Sequence, residues 1–310
     1  MEVILNLLPV NEAEKKTFEA LAPDAEHIYA GRRTVTPEQL ERATVILGWP
    51  RAEELHVCKN LRWFQSMWAG TDEYQGQGIL PEGAVLTSSS GSNARSVAEH
   101  MLASVLALCR RLPLYRDLQS RRQWADEGNM RTLLDARVLV VGAGHVGSAF
   151  ASMCRGLGSH TVGLKRSLAP VEGFDEIHTM EELDALLPTA DIVALVVPHS
   201  PATVGLMNRE RIALMKDDAM LISSGRGSVL DQDALAEAMK HGKLWGAALD
   251  VTEPEPLPAD SPLWDIPNLL ITPHVAGGMR LELTRTTCVQ MAADNLRRYL
   301  NGEPLENRVR

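Results

Sequence analysis

Cysteine is scarce: four residues in 310, Cys58, Cys109, Cys154 and Cys288, lie far apart, with no Cys-x-x-Cys and no histidine pair at zinc spacing. A disulfide-stapled scaffold is excluded and no metal site is expected; free thiols in a reducing compartment fit this pattern. Basic residues are outnumbered, 31 Lys and Arg against 40 Asp and Glu, for a formal charge of −9. Electrostatic binding to a phosphate backbone needs a basic excess, so neither nucleic acid nor an anionic membrane is expected as a partner. Long hydrophobic runs are missing too. The apolar-rich run Met101 to Cys109, between Glu99-His100 and Arg110-Arg111, is nine residues, far short of the ~20 that a bilayer span needs. The opening Met-Glu-Val-Ile-Leu has neither the positive region nor the cleavage site of a secretory leader, so a cytoplasmic location is expected.

What is present is ordinary globular material, 45% apolar and 23% charged, in a length that suits two domains. Short β-type runs alternate with helical patterns almost throughout, the signature of parallel α/β layers. In the first part, strands are expected at Val3 to Leu8, Thr44 to Leu47, Arg62 to Met67 and Ala84 to Thr87, with a helix at Glu12 to Leu21. Thr36-Pro37 reads as the cap and first residue of another helix. After a helical stretch from Ser96 to about Arg111, a more regular series begins. Its strands are expected at Arg137 to Val141, Thr161 to Leu164, Ile192 to Val197, Ala219 to Ile222, Trp245 to Leu249 and Leu269 to Thr272. Continuous apolar runs such as IVALVV suit a sheet buried on both faces. Asp231 and Gly242 bracket a helix between them, and Leu281 to Leu300 is helical again.

The segment RVLVVGAGHVG puts Gly142-x-Gly144-x-x-Gly147 directly after a strand and at the mouth of a helix. There the first glycine permits a tight turn, the second admits a pyrophosphate and the third lets helix and strand pack. The helix start, including His145 and Val146, offers unpaired N–H groups to the phosphates. In that context the fingerprint points to a dinucleotide. An NAD site wants an acidic residue at the end of the next strand. Here that place is occupied by Lys165, Arg166 and Ser167, which suit a 2′-phosphate; NADP(H) is expected in preference to NAD(H), although the same residues also read as a solvated basic turn.

Farther on, Arg226 in ISSGRGSVLD, Glu255 in ALDVTEPEPLP and His274 in LLITPHVAGG fall at strand ends or in the loops after them. Ligands of open α/β sheets collect beyond the carboxyl ends of the strands. Reducing a 2-oxo acid requires a proton for the nascent alkoxide, and histidine titrates in the right range to supply it. A neighbouring carboxylate fixes the ring and favours its charged form, and a guanidinium can grip the substrate carboxylate or polarise its carbonyl. Each residue alone has a plainer reading as a structural or loop residue; together, behind the fingerprint, they are far more specific.

These segments, with SVAEHMLASVLAL and ALMKDDAMLISSGRGSVLDQDALAEAM, give the chain a recognisable pattern. It resembles the D-isomer-specific 2-hydroxyacid dehydrogenases, in particular their glyoxylate/hydroxypyruvate reductase-like branch, over nearly its whole length. The resemblance implies that Arg226 binds substrate, that Glu255 pairs with the catalytic His274, and that Asp250 lies near the nicotinamide amide. Glu253, two residues early for the motif, is the lesser candidate for the pair. It further implies that backbone N–H groups of Trp68-Ala69-Gly70 hold the substrate carboxylate and that Pro198, Thr203 and Ser224 line the cofactor. Trp49 and Met279 are candidate walls of the side-chain pocket.

The implied fold is two doubly wound α/β domains, a Rossmann-type dinucleotide-binding domain (96–280) inserted into a smaller flavodoxin-like substrate domain (1–95 plus 281–310). Family members are usually homodimers, and RRLPLYRDLQSRRQW looks like the dimerising arm. The implied activity is reduction of glyoxylate, hydroxypyruvate or a bulkier apolar 2-oxo acid to the D-2-hydroxy acid. Formate-type relatives place Gln where Glu255 stands. A dinucleotide-sensing co-repressor on the same fold is the alternative from another class.

Overall fold

The computed structural model describes residues 1–309. The chain divides into two compact units, Met1–Asn93 together with the residues from Met279 onward, and Ala94–Gly278. The first unit is a parallel sheet of β1 (Val3–Asn6), β2 (Glu26–Tyr29), β3 (Val45–Gly48), β4 (Trp63–Ser66) and β5 (Val85–Thr87), in the order β2-β1-β3-β4-β5. Alternation sorts its side chains onto two faces. Ile4, Val45, Leu47 and Trp63 pack with Phe18 of α1 (Glu12–Leu21) and with Val289, Ala292 and Leu296 of the C-terminal helix Glu282–Leu300. Leu5, Ile46, Phe64 and Leu86 pack with Leu40 of α2 (Pro37–Arg42) on the other face. Both helices open with a capping box, Asn11 with Glu14 and Thr36 with Gln39, which satisfies the amides that a helix start leaves unpaired.

The second unit contains α3 (Ala94–Cys109), α4 (Leu112–Ser120), α5 (His145–Gly156), α6 (Leu183–Leu186), α7 (Arg209–Leu214) and α8 (Gln232–Lys240). Its strands are β6 (Arg137–Val141), β7 (His160–Leu164), β8 (Glu176–His178), β9 (Ile192–Leu195), β10 (Ala219–Ser223), β11 (Leu244–Leu249) and β12 (Leu269–Ile271). They form one seven-stranded sheet in the order β12-β11-β10-β9-β6-β7-β8. All its pairings are parallel. That order reverses between β6 and β9, the topological switch point of a Rossmann sheet, where ligands bind beyond the strands' carboxyl ends. Burial on both faces explains the continuous apolar runs: Leu139 and Val141 enter one core, Val138 and Val140 the other.

The doubly wound α/β class is the one expected. Two strands were not foreseen, β2 and β8; they are edge strands of four and three residues, half-buried throughout. The helical stretch after residue 93 is split, because Arg111 turns left-handed (φ 53°) and α4 starts beyond it with a proline in its first turn.

One edge of the second sheet is held by charge. Glu176 accepts from His178 Nε2 at 2.9 Å, His160 Nε2 at 2.5 Å and both Nη atoms of Arg137 at 3.2 Å. These bonds, those from the two histidines foremost, pull its carboxyl down to about 2. His178, bonded to Glu176 and Glu182, is pushed up. A lowered carboxyl stabilises above its unfolded value, 4.5, and loses that as pH falls through about 2; a raised histidine stabilises below 6.5 and loses it as pH rises through its folded value. The melting-temperature gap between wild type and Glu176→Gln is therefore expected to peak at about pH 5 to 6, at roughly 2 °C for so exposed a cluster, and to shrink on either side. A gap that stays constant from acid to alkaline pH in thermal unfolding would contradict this.

Candidate active site

The glycine turn follows β6 directly. Gly142 (φ +113°) takes a backbone conformation that side chains rarely adopt, and the Gly142 and Ala143 N–H groups bond to the Leu164 carbonyl at 3.1 and 2.9 Å. α5 begins at His145 with Gly144 as a cap that carries no side-chain bond. Its first rung is Ser148 N–H to the Gly144 carbonyl, 2.8 Å, so the N–H groups of His145, Val146 and Gly147 face out of the helix start. A Cβ on Gly147 would lie 2.2 Å from the Gly142 carbonyl oxygen, whereas one on Gly144 would meet nothing within 4 Å. Gly147 therefore serves packing and Gly144 serves access. An open, anion-attracting cradle of this kind fits the pyrophosphate of a dinucleotide.

Beyond β7, Lys165 is half-buried and Arg166 and Ser167 are exposed. Lys165 is tied by its N–H to the His178 carbonyl, 3.0 Å. Among the described residues, neither cation has an ion-pair partner. After β9, the Thr203 hydroxyl donates to the Pro198 carbonyl at 2.6 Å, His199 Nδ1 lies 2.8 Å from Ser228 Oγ, and Ser224 N–H bonds to the Leu195 carbonyl at 3.1 Å.

The three strands β10, β11 and β12 are neighbours, and their carboxyl ends are level: Asp250 N–H bonds to the Ser223 carbonyl and Thr272 N–H to the Leu249 carbonyl, both 2.9 Å. The loops beyond carry Arg226, Glu255 and His274. They are packed so closely that a Cβ on Gly227 would sit 2.0 Å from the Thr252 carbonyl oxygen. His274 Nδ1 lies 2.9 Å from Glu255 Oε2, and Thr252 N–H donates to Glu255 Oε1 at 3.1 Å. The carboxylate is thus aimed from behind, and the ring's Nε2 is left for another partner. The imidazole is 50% exposed, open to a substrate. The carboxylate on His274 is that of Glu255, not Glu253, whose backbone carbonyl accepts from Gln232 Nε2 at 2.9 Å. Arg226 is half-buried with Nη1 on the Gly225 carbonyl, 2.8 Å.

Asp250 follows β11 directly. It is buried, and both carboxylate oxygens accept hydrogen bonds: Oδ1 from the Thr272 hydroxyl (2.6 Å) and Val275 N–H (3.0 Å), Oδ2 from Ala276 N–H (3.1 Å). These bonds tie it to the turn that carries His274. In the first unit, the loop after β4 carries Trp68, Ala69 and Gly70. Trp68 N–H already donates to Ser66 Oγ at 3.1 Å, leaving the amides of exposed Ala69 and half-buried Gly70. Trp49, edge-on to Trp68 with centroids 5.3 Å apart, has the Arg32 guanidinium 3.6 Å over its ring. Met279 packs in the same cluster as both tryptophans. Sequence reasoning missed Thr252 and Thr272. The second had a signal, a threonine two residues before the histidine at a strand end.

A Rossmann sheet with this glycine turn defines a dinucleotide-binding class of domain, and similarity to known proteins makes the assignment specific. The profile of the D-isomer specific 2-hydroxyacid dehydrogenase NAD binding domain matches residues 102–276. The chain belongs to the D-isomer specific 2-hydroxyacid dehydrogenase family. It is 34% identical over 262 residues to glyoxylate/hydroxypyruvate reductase B of Pectobacterium carotovorum, covering 82% of this chain and 81% of that one. A family protein from Aeromonas salmonicida superposes with a TM-score of 0.88 at 30% identity, covering 100% of this chain and 99% of that one. The Xanthobacter autotrophicus member, solved with NADPH and MES, gives 0.83 at 30% identity, covering 100% and 98%. D-3-phosphoglycerate dehydrogenases match as well but are longer; the chain spans 58% of the one from Haemophilus influenzae. This chain is accordingly an NAD(P)-dependent oxidoreductase of the 2-hydroxyacid dehydrogenase type. Among the described residues no helix is long and apolar enough to cross a membrane.

The two glycines separate access from packing. Gly144→Ala is expected to melt like wild type yet bind NADPH at least tenfold more weakly, whereas Gly147→Ala loses both stability and binding. Thermal unfolding with fluorescence titration of NADPH checks this, and equal effects of the two changes would refute the division of roles.

Proposed function

We propose that this protein reduces a small 2-oxo acid, glyoxylate, hydroxypyruvate or a bulkier apolar homologue, to the D-2-hydroxy acid with NADPH as the preferred reductant. The observation that carries the proposal is the His274–Glu255 pair, 2.9 Å apart on a half-exposed ring. A bound nicotinamide supplies the hydride. His274 Nε2 delivers its proton to the carbonyl oxygen as that oxygen gains charge, and takes one back from the hydroxyl in oxidation. Glu255 accepts from Nδ1, which fixes the ring and stabilises it while charged. Arg226 holds the 2-oxo acid through its carboxylate and carbonyl oxygens. The free amides of Ala69 and Gly70 suit a carboxylate as well. The unpaired Lys165 and Arg166 at the end of β7, with Ser167, support a 2′-phosphate and so NADP(H); NAD(H) remains the second cofactor. Names of relatives such as glyoxylate/hydroxypyruvate reductase support catalysis over a sensing or co-repressor role. Exposed Leu112 and Trp124 in the basic segment after α3 support assembly as a homodimer through that arm.

Two variants test the reading by steady-state kinetics and NADPH titration. His274→Ala is expected to cut kcat by about 10² to 10⁴-fold while leaving the NADPH Kd nearly unchanged; wild-type turnover would remove it from the mechanism. Replacing Lys165 and Arg166 together by Ala should lower the NADPH-over-NADH preference about tenfold or more. An unchanged ratio would show that the 2′-phosphate is read elsewhere.

A further inference from the structure

Beneath the turn that carries His274 runs a polar chain the reaction does not itself use. His100, on α3, has Nε2 3.0 Å from Thr272 Oγ1, and the Thr272 hydroxyl donates to Asp250 Oδ1 at 2.6 Å. Chemistry fixes the direction. A carboxylate only accepts, so the threonine hydrogen is committed to Asp250, and the hydroxyl lone pair receives the Nε2–H of His100. Asp250 in turn accepts from the Val275 and Ala276 amides, and its own carbonyl accepts His274 N–H at 2.8 Å.

That anchorage matters because His274 sits at φ 49°, in the left-handed region, where a non-glycine residue persists only when its surroundings hold it there. A cavity of about 50 Å³ lies against the chain, lined by His100, Thr272 and Asp250 together with Leu249 and Leu270 among others. The turn itself is tied to Asp250 by the three hydrogen bonds from Thr272, Val275 and Ala276.

We propose that His100 and Thr272 are positioning residues for proton transfer by His274, holding the Asp250 carboxylate and, through it, the turn that keeps the imidazole on Glu255. This rests on the reading of His274 given above. The full chain is assayed with NADPH and whichever of glyoxylate and hydroxypyruvate the wild type turns over faster. Thr272→Val, which keeps the shape and removes the hydroxyl, is expected to lower kcat about 10²-fold, the scale of an ångström of misplacement. KM and the NADPH Kd should stay within about twofold, and Thr272→Ser should restore turnover. His100→Leu moves kcat in the same direction, and its combination with Thr272→Val is no worse than Thr272→Val alone, because both act on one chain. Isotope-labelled histidine NMR without cofactor gives a second readout: the downfield Nδ1 proton of His274, identified by its loss in His274→Ala, is expected to disappear in Thr272→Val and return in Thr272→Ser. A Thr272→Val protein with wild-type kcat and an intact signal, beside an inactive His274→Ala, overturns the positioning role and leaves His274 in place. A loss that serine does not restore, or additive effects in the double variant, also overturns it. An active His274→Ala overturns the reading on which it rests.

Discussion

The turn that carries His274 depends on one buried carboxylate. Asp250 is 5% exposed, and a buried charge is tolerable only when its lone pairs are met. The donors that meet them are the Thr272 hydroxyl and the amides of Val275 and Ala276, all within four residues of His274. Satisfying the charge and bending the chain after β12 are the same event. The left-handed histidine is its product, and the approach of Nδ1 to Glu255 follows from where that turn points.

A parallel sheet makes the arrangement available, because its carboxyl ends all face one way and its loops leave from one level. Glycine then lets those loops close on one another. With a side chain at position 227 the Arg226 loop could not pass the Thr252 carbonyl, and Thr252 is the residue that aims Glu255. Arg226 and the His274–Glu255 pair are thus coupled through backbone contacts. The nucleotide cradle uses the opposite device at Gly144, where the space beside the backbone is left open.

Legibility in the sequence followed burial. Strands such as β6 and β9 are covered on both faces, so their apolar runs are continuous and stood out. β2 and β8, half-buried with Glu and His in a few residues, carry too little pattern to distinguish them from loop. Glu255 and His274 were legible because a proton-transfer pair demands those residue types beyond strand ends, and the structure brings the two side chains together. Backbone donors were harder to read. Nothing in Trp68-Ala69-Gly70 signals that Ser66 would take the first amide, and a sequence cannot say which lone pairs of Asp250 the next turn consumes. His100 lies between Ser96 and Ser104 on one face of α3, and only the fold identifies Thr272 as its partner.

The most direct test of the account is the absorbance of reduced nicotinamide, followed with wild-type protein and NADPH against glyoxylate, hydroxypyruvate, pyruvate, 2-oxoisocaproate and phenylpyruvate, with NADH in parallel. The account predicts rapid NADPH consumption with at least one of these acids and slower consumption with NADH. NADPH that binds tightly and is consumed with none of them would contradict it and favour a protein that senses the dinucleotide.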